Sequence, residues 1–154
     1  MAIIGLGNPL RGDDGIGPRV VQELARCALP PGTVALDGGT AGLGLLGLLN
    51  GWDRVIVVDA ADVGQEAGQF VRFRPDQARL AEAIDGFSFH HAGLAEVLAL
   101  ACALDQPLPP LVVFGVQPGQ VGWQEGLSAA VEASLPALVE AILREVGEDQ
   151  CPRS

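Results

Sequence analysis

Four consecutive β-branched residues, Val55-Ile56-Val57-Val58, followed at once by Asp59, constrain this chain more than any other feature. Such a run has no polar face, so it fits a central strand of a parallel sheet covered by helices on both sides. Leu111-Val112-Val113-Phe114-Gly115-Val116 has the same character and predicts a second interior strand. Around these two, apolar spacing alternates between strand and helix periods. Strands are expected over 2–7, 33–36, 54–59 and 111–116, and an edge strand with one exposed face over 69–74. Helices are expected over 16–27 and 43–49, along Leu94, Val97, Leu98 and Ala101, and from Leu127 to Ile142. Pro136 should kink or restart the last helix, with Ser134 as a cap.

The alternation predicts an α/β fold, a three-layer αβα sandwich with a mostly parallel, five-stranded twisted sheet flanked by helices. Right-handed crossovers favour strand order 2-1-3, with the 111–116 strand beyond the third. With 154 residues, no repeat and no long linker, a single domain over 1–146 is expected, and the polar residues 147–154 are expected to be a disordered tail.

Charge and residue usage narrow the function. A formal charge of -10 repels nucleic acid. All nine basic residues are Arg and there is no Tyr, which excludes a P-loop lysine, a Schiff-base lysine and a tyrosine nucleophile. No apolar run approaches the ~18 residues of a membrane span, and the first residues read as a strand and not as a secretion signal, so a cytoplasmic location is expected. Cys27, Cys102 and Cys151 form no C-x-x-C and suggest no disulfide framework; Cys102 reads as an inert core position in its helix. No G-x-S-x-G is present, and none of the four serines follows a strand in a nucleophile elbow.

In an open α/β sheet the ligand crevice lies beyond the carboxyl ends of the strands where the order reverses, here between the first and third. After the first strand comes Gly5-Leu6-Gly7-Asn8-Pro9-Leu10-Arg11-Gly12-Asp13-Asp14-Gly15-Ile16-Gly17. A dinucleotide fingerprint would need Gly where Leu10 stands, and two carboxylates occupy the place of phosphate donors. One of Asp13 and Asp14 is expected to cap the helix they precede, leaving the other to face the crevice. Asp59 ends the third strand, where an unpartnered carboxylate is costly to desolvate; Asp62 reads as a turn residue. Asp37-Gly38-Gly39 ends the second strand as a turn or a substrate-facing loop. The two histidines, His90 and His91, precede the helix containing Leu94. Two carboxylates and one imidazole converging on this edge would suit a borderline divalent ion such as Ni²⁺ or Zn²⁺, with positions left open.

Taken together, Gly5-x-Gly7-Asn8, Asp13-Asp14-Gly15-x-Gly17, Asp37-Gly38-Gly39, Asp59-Ala60, His90-x-x-Gly93-Leu94 and Gly115-Val116-Gln117-Pro118 resemble the hydrogenase maturation endopeptidases. The resemblance implies a twisted sheet between helices and an activity that trims the C-terminal extension from a nickel–iron hydrogenase large-subunit precursor after nickel insertion. It implies metal contacts from Asp14, Asp59 and His90, and some members of the family carry Glu where this chain has Asp14. The nickel is then supplied by the substrate as a recognition signal. No organic cofactor and no catalytic group beyond the metal ligands are expected, and Asp37, Gly38 and Gly39 become candidate substrate contacts. The expected partner is the precursor, acted on by a monomer, with no nucleic acid or membrane. Other functional classes are a non-catalytic nickel-binding assembly factor and a flavodoxin-like binding module.

Overall fold

The computed structural model describes residues 1–40, 42, 44–75, 88–89 and 93–148. Strands are β1 (Ala2–Leu6), β2 (Val34–Gly39), β3 (Val55–Asp62), β4 (Phe70–Phe73), β5 (Ser88–Phe89) and β6 (Leu111–Val116). A 3-10 turn over Gly12–Gly15 leads into α1 (Ile16–Leu24), followed later by α2 (Gly44–Leu49), α3 (Gly93–Ala103) and α4 (Ala129–Glu148). The main path of the sheet runs β2-β1-β3-β6-β4, parallel except for β4, which pairs antiparallel with β6 at the edge. Order and edge agree with the sequence expectation. The two-residue β5 is an addition: it pairs antiparallel with the end of β3, Phe89 opposite Ala61 and Ser88 opposite Asp62.

The buried runs sort their side chains by parity. Ile3, Ile56, Val58, Val112 and Phe114 face α1 and α4, packing on Ile16, Val20, Leu138 and Ile142. Ala2, Ile4, Val55, Val57 and Val113 face α2 and α3, packing on Leu45, Leu49, Leu94 and Leu98. Both faces of β3 are thus dry, as its unbroken aliphatic run requires. Asp59 continues the parity of Val55 and Val57, toward the α2–α3 face.

Three details correct the sequence reading. Pro136 does not restart the last helix; α4 is assigned as one helix of 20 residues, and the Ser134 hydroxyl donates to the Val131 carbonyl (2.7 Å) instead of capping. The apolar stripe of Leu135, Leu138 and Ile142 against the sheet outweighs the single backbone hydrogen bond that proline removes. The same helix extends through Gly147 and Glu148; residues 149–154 lie outside the described residues. Cys102 is exposed on α3, beside the buried stripe of Leu94, Val97, Leu98 and Ala101. Among the described residues no helix is long and apolar enough to cross a membrane.

Candidate active site

The glycines after β1 allow two pieces of backbone to touch. A Cβ on Gly17 would sit 2.1 Å from the Leu6 carbonyl oxygen, so only glycine lets α1 start against the end of β1. Gly7 has φ +129, and a Cβ there would lie 1.8 Å from the carbonyl oxygen of Asp14. The pattern that superficially suits a phosphate loop therefore presses the 3-10 turn, with its two aspartates, onto the carboxyl edge of the sheet.

Asp13 and Asp14 are both fully buried and have different partners. Asp13 accepts hydrogen bonds from the backbone N–H groups of Gly119 (2.8 Å), Gln120 (2.7 Å) and Ser128 (2.6 Å), and from the Ser128 hydroxyl (2.7 Å). It does not cap its own helix, contrary to expectation. The N-cap positions of the 3-10 turn and of α1 are Arg11 and Gly15, neither with a side-chain cap bond. Asp13 instead fastens the loop after β6 and the residue that opens α4, because Ser128 accepts from Glu132 one turn on. Asp14 is the carboxylate left to the crevice side. Its Oδ2 accepts the Asn8 amide (2.8 Å), which fixes the turn around it.

Asp59 is 1% exposed, and neither of its carboxylate oxygens has a hydrogen-bond partner among the described residues. Burial pushes its pKa up to about 8; the Asp14 charge adds to the rise, and the nearby Ala60 amide offsets part of it. The influence of Asp14 places the two carboxylates as electrostatic neighbours at the switch between β1 and β3. Pairing of Gly5 with Val58 puts Asp59 one step beyond the last β1–β3 pair. Among the described residues no group of three potential metal ligands assembles. The third expected ligand, His90, lies outside the described residues, as does His91. What is described is the approach: β5 brings Phe89, the residue before His90, opposite Ala61 at the end of β3.

Other candidates fall where their chemistry suggests. Asp62 is exposed and accepts the Gly64 amide (3.2 Å), a turn role. The Asp37-Gly38-Gly39 segment belongs to β2 and contains an irregularity in its pairing with β1. Asp37 is exposed and accepts the Gly39 N–H (2.8 Å); Gly38 is buried against Leu6 and Ile4. The sequence reading missed Gln117, whose side-chain oxygen accepts the Val63 amide (2.8 Å) and ties the end of β3 to the end of β6. Gln117 stands in the quoted Gly115-Val116-Gln117-Pro118 segment, but nothing local reveals a partner 54 residues away.

The fold and site define an α/β domain, a mostly parallel mixed sheet between helices, with two buried carboxylates, Asp14 and Asp59, at its switch point. The chain belongs to the hydrogenase maturation protease family, which it matches over residues 18–145. It is 37% identical over 155 residues to the hydrogenase 2 maturation protease of Escherichia coli K12, covering 98% of this chain and 94% of that one. Similarity to the hydrogenase expression/formation protein HupD of Bradyrhizobium diazoefficiens is 39% over 117 residues, 75% of this chain and 61% of that longer protein. The hydrogenase maturating endopeptidase HybD from E. coli superimposes with a TM-score of 0.82 at 34% identity, covering 96% of this chain and 92% of that one. The activity is accordingly that of a hydrogenase maturation endopeptidase, which processes the large subunit of nickel–iron hydrogenase.

Proposed function

We propose that this protein removes the C-terminal extension of the large-subunit precursor only after nickel has been inserted, and that Asp14, Asp59 and His90 meet the nickel the substrate carries. Asp59 is the observation that supports this reading most directly. A carboxyl group buried at the end of a central strand, with no hydrogen-bond donor of its own among the described residues and a second carboxylate beside it, is unfavourable as an anion. A divalent cation removes that penalty. It offsets the repulsion between Asp14 and Asp59 and displaces the proton that Asp59 otherwise holds near neutrality. Held by these residues, the ion would serve as the recognition signal and would have Lewis-acid charge to offer. The protein's part is to hold Asp14 in a turn pinned by Asn8 and Gly7 and to hold Asp59 on β3, whose end pairs with β5 at Phe89, the residue that precedes His90 in the sequence. Without nickel, the crevice lacks the positive charge that two ionised carboxylates require. The exposed Asp37 and the half-buried Gly39 line the neighbouring strand end as contacts for the extended substrate, with Gly38 buried beneath them.

Incubation of purified protein with nickel-loaded and nickel-free precursor tests the proposal. The nickel-loaded form should lose its extension and the nickel-free form should persist. Equal processing of both would remove the nickel signal from the proposal. Binding of loaded precursor without any cut would support an assembly factor instead.

A further inference from the structure

Seven of the nine arginines lie among the described residues, and six of them are ion-paired with glutamate: Arg19, Arg26, Arg54, Arg72, Arg74 and Arg144. Arg11 is the exception, in a chain that carries 19 acidic residues. Its guanidinium carbon lies 5.4 Å from the ring centroid of Trp123, which is 80% exposed. Its Nε is buried and has no hydrogen-bond partner among the described residues. The backbone of Arg11 is held on both sides. Its N–H donates to Asn8 (3.0 Å), its carbonyl accepts from Asp14 (3.3 Å), and it bridges to Gln124 in the loop that carries Trp123. Arg11 and the Asp14 carboxylate are therefore two features of one rigid turn. Its neighbours Leu10 and Gly12 line a groove of 350 Å³ with Pro18 and Leu127, whose charged lining is Arg19, Glu125 and Glu132, and Leu10 is exposed.

A guanidinium stacked on an indole face is pre-oriented, and its planar edge matches a carboxylate in a bidentate pair. Everywhere else among the described residues this chain satisfies arginine with a carboxylate of its own. We infer that Arg11, carried on Trp123, is a specificity residue that takes a carboxylate of the precursor's C-terminal extension and lays the extension along the groove against the turn that carries Asp14. The inference rests on the protease acting on this precursor. The carboxylate belongs either to an Asp or Glu side chain of the extension or to its terminus.

Steady-state cleavage of nickel-loaded precursor tests it. Arg11→Gln should raise KM about tenfold, the loss of one charge-assisted pair, with kcat within about twofold of wild type. Trp123→Ala should raise KM less. Precursors with the extension's Asp and Glu changed to Asn and Gln, or with a C-terminal carboxamide, identify which source is read. With the relevant one, wild-type protein should show the same raised KM and Arg11→Gln should add nothing further. An unchanged KM for Arg11→Gln, a fall confined to kcat, or independent losses from the protein and substrate changes would overturn the inference. Emission of Trp123, isolated in a Trp52→Phe background, reports the contact without cutting. Loaded precursor should shift it, and Arg11→Gln should raise the concentration needed about tenfold. If wild type binds in this way but never cuts, the protease reading falls while the Arg11 contact stands; no emission change in a protein that cuts would sink the contact alone.

Discussion

The two ends of the sheet each bury a carboxylate, and they treat it in opposite ways. At the amino end Glu145 of α4 is 4% exposed and surrounded by cations from β3 and β4. Arg54 donates to it, Arg72 donates to both of its oxygens, and Arg74 stands 3.7 Å away. The hydrogen bond from Arg72 leads in holding its carboxyl below the usual range, against the opposing effect of burial. At the carboxyl end Asp59 is as deeply buried, has another carboxylate as its neighbour, and is pushed up to about 8. Equal burial with opposite electrostatics separates a carboxylate whose charge is met inside the fold from one that has no counter-charge among the described residues.

The sharpest break of this comparison removes the charge at the carboxyl end. Asp59→Asn and His90→Ala should each lower cleavage of nickel-loaded precursor by more than about a hundredfold, since loss of even an outer-shell partner of a metal ligand costs 10- to 100-fold. Circular dichroism should show both variants folded. A folded Asp59→Asn protein that cuts at the wild-type rate would end the metal-ligand assignment.

The opposite experiment is Glu145→Gln, which leaves Arg54 and Arg72 facing an uncharged group. It should destabilise the domain by about 3–5 kcal/mol in denaturant unfolding while leaving kcat of the folded fraction unchanged. Because the Glu145 carboxyl is lowered in the folded state, its contribution is present above the ordinary glutamate range and fades as pH falls through that range and below.

Asp59 gives the reverse pH dependence. Its folded pKa of about 8 exceeds the ordinary 3.8, so the folded protein binds more protons between those values and stability falls as pH rises through the window. At pH 7 the penalty is roughly 4 kcal/mol for a shift of this size. Metal-free Asp59→Asn should therefore melt well above wild type at pH 8 and close to it at pH 4. Equal melting points at both would show that Asp59 ionises freely. Smaller effects sharpen the site. Asp14→Glu should retain more cleavage than Asp14→Asn, and His91→Ala should keep most activity. Asp37→Asn should alter KM by only a few-fold, because an exposed contact loses little when one charge is removed.

The readable parts of this molecule share a local cause. The aliphatic run before Asp59 forces a central strand, and the strand's position in the sheet puts Asp59 at the switch point, so fold and half of the candidate site follow from short segments. The illegible parts depend on pairing across the chain. Asp13 read as a helix cap because its partners, Gly119, Gln120 and Ser128, are more than 100 residues away. The same separation hid the Arg54–Glu145 pair, 91 residues apart, which closes the far end of the sheet. Pro136 suggested a break because propensity is local, whereas the helix is maintained by apolar contacts with the sheet. The two-residue β5 is too short to leave a periodic signal. His90 and His91 fall outside the described residues, so the choice between them rests on the family resemblance and on the variants above.

Asp13 also sets the order in which the enzyme can come into being. The turn carrying Asp14 is made before its anchor: its neighbour Asp13 finds its last partner 115 residues later, at Ser128. At about 5–20 residues per second, the ribosome takes roughly 6 to 23 s to supply that partner. During that time the nascent chain holds a buried-type aspartate with no amides to bind. The turn beside the first candidate carboxylate is thus locked in place only once the chain has been made through Ser128, and a chain that stops short of it lacks that lock.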